Sequence, residues 1–427
     1  MKTIWKYTKV FVLLIVSYLA FMVIACLFPE EAVHRNVKRS VEDIQKEGNY
    51  THAVMRYPAY QMDNFTDALM MSTAWEANAR DLRASLFENR HAIVGMDMSI
   101  GLRTLVEQDP KEKEPYARYW HGNSFLMRIM LYFGNYSNIR FFLYILSSFI
   151  LVISCCLLYP RIGLPYTLAF ISGFFLMNGF VTQLSLQMFS CVMIAIISSV
   201  GVSYKWEDVR ATGLLFFITG SVTTFFDLLT TPLITVGLPL IMYLIMNRER
   251  QEKNSFWRGA GEMAVFSGLW MVGYAVTWAT KWALSTAFTG INFFKDAYKQ
   301  SLHRADVGTE FTRLDAVQAN LELMPWETLL TLCIILAVAA IFFFNRHNLK
   351  TVLLTLPIIL VPYLWFYIVS DHSFKHWWFT YRLQMIAVSA AIVLLCHLIQ
   401  WDKLQKKVTN LSVRISRFFL YLCRFKS

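Results

Sequence analysis

Charge is what this chain has least of. Only 16% of its 427 residues are Asp, Glu, Lys or Arg, whereas 56% are hydrophobic and the mean hydropathy is +0.42. Soluble globular chains carry about 25% charged residues, so a soluble domain is excluded. Paired cysteine is also missing. The seven cysteines (Cys26, Cys155, Cys156, Cys191, Cys333, Cys396 and Cys423) are odd in number, form no CxxC and lie in or beside apolar runs. That pattern excludes a disulfide framework and a zinc site. The first apolar run, about 10–28, has a basic start but no clear small-x-small cleavage site, so it is expected to be a retained span and not a signal peptide. No internal repeat or low-complexity linker divides the chain. Its formal net charge of +11 does not call for nucleic acid, because much of the basic excess sits between apolar runs and near the C-terminus.

What is present is a series of runs long enough to cross a bilayer, for which roughly 20 apolar residues suffice. The expected fold is an all-α polytopic membrane protein with about ten transmembrane helices: 9–28, 139–159, 164–181, 184–203, 211–227, 231–247, 262–283, 327–345, 351–370 and 382–400. Lys and Arg in short loops set orientation. Placing Lys2, Lys6 and Lys9 in the cytoplasm puts Arg161, Lys205/Arg210, Arg248 to Arg258, Arg346/Lys350 and the tail on the same side. The short turns near Asn178 and Asp227 carry no Lys or Arg. A multi-pass cell-membrane protein with both termini cytoplasmic is expected. Residues 1–400 form the integral domain, with a long extracytoplasmic first loop at 29–138 and a second outer loop at 284–326. In the first loop, Asp63 to Ala74 reads as a helix, and Ala68 to Glu88 and Ile93 to Val106 read as helices lying on the membrane or folded into a cap. The tail, 401–427, is basic with Leu411, Val413, Phe418, Phe419 and Leu422 at intervals, which suits an amphipathic helix on an anionic inner leaflet.

The residues that can carry chemistry gather on the outer side. Asp63 and Asp67 stand four apart, on one face if helical. Such a pair can serve as a base or hold a divalent ion such as magnesium or manganese; a helix cap for Asp63 and the helix dipole for Asp67 explain them equally. Asp227, flanked by Phe225, Phe226, Leu228 and Leu229, is either an acid at costly depth that marks a site or a turn acid facing outside water, with Pro232 starting the next helix. Lys281, between Trp278 and Trp282, either snorkels to headgroups or meets a lipid phosphate. The densest cluster is Asp371, His372, Lys375, His376, Tyr381 and Arg382, in which the histidines and the arginine suit a phosphate. Trp377, Trp378 and Phe379 suit an interfacial belt. The His372/His376 spacing permits a metal on a helix, but no HExxH accompanies it, so no metal ligand is assigned. Arg118 and His121, in Tyr116-Ala-Arg-Tyr-Trp-His-Gly122, are a second aromatic-cationic candidate.

This layout resembles the GT-C superfamily of membrane glycosyltransferases. Those enzymes have many spans, a long first extracytoplasmic loop with an essential acid, and a lipid-phosphate-linked sugar donor. The matching pieces are Asp63 in Met62-Asp-Asn-Phe-Thr-Asp67, Asp227 at a second outer turn, and Asp371-His-Ser-Phe-Lys-His376 with Arg382. Tyr119-Trp-His-Gly122 is similar to a stretch in bacterial membrane proteins of this general type. The chain departs from the pattern in placing its first acid more than thirty residues past the first span, and in having Asp-Asn for the Asp-Glu or Asp-x-Asp pairs. The resemblance implies transfer of a hexosyl or pentosyl unit from a polyprenyl-phosphate donor to a glycan, lipid or protein acceptor of the cell envelope. Asp63 would be the base, Asp67 and Asp227 would orient the acceptor or stabilise positive charge, and Lys281, His372, His376 or Arg382 would hold the phosphate. A transporter or flippase of lipid-linked saccharide and a non-catalytic subunit of an envelope assembly complex are the alternatives. The gathering of charge at one face argues against the first.

Overall fold

The computed structural model describes residues 2–92, 97–308 and 310–424. Helices α1 (Lys2–Leu27) and α2 (Glu30–Glu47) lead into the first loop region, where α3 (Asn64–Glu76), α4 (Leu82–Phe87), α5 (Met98–Gln108) and α6 (Gly122–Phe133) follow. The bundle continues with α7 (Tyr136–Leu176), α8 (Gly179–Thr182), α9 (Leu186–Lys205), α10 (Val209–Phe226), α11 (Ile234–Lys253) and α12 (Phe256–Thr289). Two short helices, α13 (Phe293–Ala305) and α14 (Arg313–Glu322), precede α15 (Trp326–Phe342) and α16 (Leu349–Ile368). The chain then runs through α17 (Ser370–Lys375), α18 (Trp377–Thr380), α19 (Met385–His397) and α20 (Trp401–Arg424). The strands β1 (His91–Ala92) and β2 (Lys113–Glu114) pair antiparallel.

Among the described residues, seven helical segments are long and apolar enough to cross a membrane: Ile4–Leu27, Tyr136–Leu176, Leu186–Lys205, Val209–Phe226, Phe256–Thr289, Arg346–Ile368 and Trp377–His397. The pair Arg313–Glu322 and Trp326–Phe342, bent by 77°, would make an eighth. The chain is thus a helical, multi-span membrane protein. Helix α7 holds 41 residues, about 60 Å at 1.5 Å per residue, which is twice a bilayer core. It breaks at Gly163, where φ is 77° and ψ 166°, between Pro160 and Pro165. Only glycine adopts that region readily, and the break falls where the sequence reading places a turn beside Arg161.

Small residues set the tightest crossing in the bundle. A Cβ on Gly220 of α10 would overlap the Trp270 carbonyl, and one on Gly273 of α12 would overlap the Phe217 carbonyl. Each glycine therefore admits the other helix's backbone, as small residues do between membrane helices.

The first loop is a packed cap, not a tether. Val33, Val37, Met70, Met71, Leu102 and Tyr136 share one buried cluster, which joins the cap to the start of α7. Arg128 of α6, fully buried, donates to the carbonyls of Ala25 (3.0 Å), Phe28 (3.2 Å) and Ala74 (2.6 Å). It thereby caps the C-terminal ends of α1 and α3, where a cation is favoured. The expected helix Ala68 to Glu88 is interrupted: α3 ends at Glu76, and α4 restarts behind Asp81, whose side chain accepts from Ala84 N–H. Asn78 binds the Arg80 and Asp81 N–H groups and favours the turn over a continued helix. The helix expected from Ile93 starts at Met98 behind the cap Asp97, and Ile93 itself lies outside the described residues. The tail is helical, and Val408, Leu411, Val413 and Ile415 are exposed. The side chains of Phe418, Phe419 and Leu422 lie outside what is described.

Candidate functional site

The site is assembled from segments far apart in the chain, and its floor is the start of α3. Asp63 is the N-cap of that helix. Its Oδ1 accepts from Thr66 N–H at 3.0 Å and its Oδ2 from the Thr66 hydroxyl at 2.7 Å. The Gln187 side-chain amide also donates to Asp63 Oδ2. Capping and cavity lining are not alternatives here, because the carboxylate does both. The cavity, of about 260 Å3, is walled by Asp63, Thr66 and Tyr50 from the cap, Gln187 from α9, His303 and Arg304 from α13, and Asp371, His372, Lys375, His376, Trp378 and Phe379 from the α17–α18 corner. Burial pushes the Asp63 carboxyl up to about 7, against the pull of its hydrogen bonds from Thr66 and Gln187. A carboxyl so placed changes charge near neutral pH, as a general base requires.

Asp67 is near Asp63 but differently employed. It accepts from the Tyr136 hydroxyl at 2.5 Å and from the N–H groups of Leu186 and Gln187, each at 3.2 Å. Burial raises its carboxyl to about 6, with Tyr136 and Arg140 opposing. Asp67 thus clamps the N-terminus of α9 onto α3 and fixes the residue, Gln187, that holds Asp63.

The α17–α18 corner supplies the facing wall. Asp371 pairs with Lys375 at 2.6 Å and stands 3.8 Å from His303. His372 Nε2 lies 2.9 Å from the Leu229 carbonyl, and its ring is 5.0 Å from that of His376. Burial lowers His376 to about 4 and His372 well below its ordinary value. Both are neutral at pH 7 and cannot serve there as cations. Trp378 and Phe379 turn inward and are buried, so they are not the exposed interfacial belt expected of them.

Arg304 is the cation the sequence reading passed over. Burial disfavours its charge, but the neighbouring Tyr119 and Tyr116 outweigh that and hold its guanidinium above the ordinary arginine range, and no carboxylate pairs with it among the described residues. Gln300 and Arg304, one turn apart on α13, line both this cavity and a second one of about 240 Å3. The second is mainly aromatic and aliphatic, with Trp278, Trp282, Trp365, Ile368 and Val369 in its wall. An available signal for α13 was the Gln300-x-x-His303-Arg304 spacing, which puts three polar groups on one helical face.

The remaining expected site residues lie elsewhere. Asp227 is buried and outside the cavity wall. It binds the N–H groups of Leu229 and Thr230, each at 2.9 Å, and the Thr230 hydroxyl at 2.5 Å. It shapes the turn whose Leu229 carbonyl meets His372. Lys281 does not snorkel. It is fully buried and donates to the Leu86 carbonyl at 2.6 Å and Asn89 Oδ1 at 2.7 Å, pinning α4 to α12. Arg382 is buried and donates to the carbonyls of Ala59 (2.8 Å) and Trp378 (3.2 Å). His121 is buried against the Tyr116 carbonyl at 2.7 Å. Arg118 pairs with Asp296 at 3.1 Å and lines the aromatic cavity only. These side chains are occupied by their own backbone or by partners, which one-dimensional spacing cannot reveal.

Among the described residues no group of three or more His, Cys, Asp or Glu is arranged to hold a metal ion. Both Asp63 oxygens already accept hydrogen bonds and Asp371 is paired with Lys375. The donor set does not fit magnesium or manganese. Comparison of the chain with family models, curated proteins and solved structures found no match to any of them.

Proposed function

We propose that this chain is a cell-membrane glycosyltransferase of GT-C-like design. It moves a sugar from a polyprenyl-phosphate donor to an envelope acceptor on the extracytoplasmic face. The observation that carries this reading is one cavity lined by both a titratable acid, Asp63, and the cation Arg304, together with the Asp371–Lys375 pair, and sharing its Gln300–Arg304 wall with an apolar slot. An amphiphile with an anionic head needs that pairing of surfaces. Asp63 takes the proton of an acceptor hydroxyl while its oxygen bonds to the anomeric carbon. The bond from that carbon to the phosphate oxygen breaks, and the electron pair leaves on the phosphate, where Arg304 faces the developing charge. The proton passes from Asp63 to solvent. Neutral His376 and His372 act as hydrogen-bonding groups. Asp67 and Asp227 act as positioning residues, and the phosphate-holding role passes from Lys281 and Arg382 to Arg304.

The break at Gly163 and the ten apolar runs support a ten-span topology, with both termini in the cytoplasm by the distribution of Lys and Arg. The test is donor turnover by the full chain in nanodiscs, supplied with a panel of radiolabelled polyprenyl-phosphate sugars. The wild type cleaves one of them, whereas Asp63→Asn and Arg304→Met each lose turnover by two orders of magnitude. Full activity in both variants overturns the mechanism, and movement of the intact donor across the bilayer without cleavage favours the transporter.

A further inference from the structure

Asp63 and Tyr50, both in the cavity wall, are the two roots of a hairpin. Ala53 N–H donates to the Tyr60 carbonyl at 2.9 Å and Met62 N–H to the Thr51 carbonyl at 2.8 Å, with His52 bridged to Gln61. The returning arm, just past the tip, is fixed to the bundle. The Ala59 carbonyl accepts from Arg382 at 2.8 Å and from the Tyr381 hydroxyl at 3.2 Å, at the start of the last apolar segment. Tyr60 packs on Phe180, ring centroids 5.8 Å apart, just past the end of α7. The hairpin therefore leaves the body at the rim where the lipid-facing surface of α7 ends, a surface on which Phe175 is 58% exposed.

Its tip has the wrong composition for water. Solvent-exposed turns favour Gly, Pro, Asn, Asp and Ser; residues 53–57 contain none of these, and the one turn former of the loop, Pro58, follows the exposed tip. Instead Val54 (66%), Met55 (58%) and Tyr57 (43%) are exposed together, with Arg56 among them. Two apolar side chains, one tyrosine and one arginine are what a headgroup boundary takes: aliphatic groups below, the ring at the interface, and the guanidinium at phosphate level.

We infer that the Val54–Tyr57 tip is seated in the headgroup–acyl boundary of the leaflet on the cavity's side, making this hairpin a lipid anchor that fixes the height of Asp63 above the membrane. The inference uses the multi-span assignment and is independent of the transfer chemistry. A lipid surface is the favoured occupant because the tip continues the lipid-facing rim and carries a single charge of the sign that meets phosphate.

The test places the photo-crosslinking residue p-benzoyl-phenylalanine at position 55 of the full chain. The chain is reconstituted in nanodiscs of mixed phosphatidylcholine and phosphatidylglycerol, with the same probe at Phe175 as lipid-facing control and at Arg103, on the exposed face of α5, as water-facing control. Lipid adducts are expected at 55 and 175 and not at 103, and adding Val54→Asp and Tyr57→Asp diminishes those at 55 alone. Adducts at 175 without any at 55 overturn the anchor. Adducts at 55 to a protein in native membranes, with none to lipid, overturn it too. Loss of adducts at 175 would instead sink the span assignment, so the two failures are distinguishable.

Discussion

Asp63 sits in a contest between burial, which favours its protonated form, and three donated hydrogen bonds, which favour the carboxylate. Burial wins, leaving the group to titrate at about 7, above its ordinary 3.8. Two consequences follow with opposite sign. A general base acts as the carboxylate, so turnover rises as pH increases through about 7. A raised folded-state value means that the native chain binds more protons than the unfolded one between 3.8 and about 7. The group's contribution to stability is therefore complete below the unfolded value and lost as pH climbs through the folded one. The deprotonated form needed for chemistry is the less stable form. Asp63→Asn should then lose turnover by about two to four orders of magnitude, the range of general-base catalysis, while unfolding no earlier than wild type at pH 8. Initial rates from pH 5.5 to 8.5 and thermal unfolding at both extremes check this. A flat rate profile removes Asp63 as the base, and a large drop in melting temperature for Asp63→Asn would mean that its cap dominates.

At the scale of elements, the acid depends on how two helices meet. Asp67 on α3 receives both N–H groups at the start of α9, and Gln187 at that start holds Asp63. Asp67→Asn keeps the volume but replaces one acceptor with a donor facing N–H groups, a cost of about 1–3 kcal/mol for the unsatisfied pair. Because Asp67 works through Gln187, the variant should change the pH at which turnover rises more than it changes donor binding, and Gln187→Glu should push that midpoint upward by like charge. An unshifted midpoint in both variants would leave the clamp purely structural. This coupling was only half legible in the sequence. The Asp63/Asp67 pair was visible at its four-residue spacing, and so was the dense corner at 371–376. For Gln187 and Arg304, nothing in the sequence around them says that α9 and α13 fold back to the same hollow. Conversely, Lys281 and Arg382 looked like free cations, since the backbone carbonyls that occupy them lie 195 and 323 positions away in sequence. The α10–α12 crossing follows the same logic: Gly220→Val should separate these helices and lower the melting temperature of the whole bundle, with cavity residues untouched.

For the whole molecule, each of the seven apolar segments overlaps a run visible by composition alone, with Tyr136–Leu176 covering the two runs 139–159 and 164–181 and breaking between them at Gly163, whereas the run 231–247 is not among the seven. The cap was legible only in part. Its stretches 63–74 and 93–106 read as helices, and α3 and α5 overlap them, but nothing local shows how they pack, since long loops are where pattern is weakest. Its packing comes from long-range burial against α6 and α7. Arg128 is the test of whether cap and bundle are one cooperative unit. Its guanidinium is fully buried and ties the end of α1 (Ala25, Phe28) to the end of α3 (Ala74). Arg128→Met keeps most of the apolar stem and removes the donors. Three carbonyls lose a partner, at about 1–3 kcal/mol for each one left unsatisfied, offset in part because a buried cation no longer has to be desolvated. A net loss of roughly 2–4 kcal/mol is expected from these two terms. If the cap is part of the cooperative unit, Arg128→Met lowers a single unfolding transition, and turnover falls although Arg128 is outside the cavity wall. If the cap is a separate lid, the variant gives two transitions: limited proteolysis cuts between 29 and 138 at a temperature where the bundle's tryptophan fluorescence is still native. The shared cluster of cap residues with Tyr136, Ile139 and Leu143 of α7 predicts the single transition. The α3 helix that presents Asp63 would then be held in place by an arginine that never meets substrate.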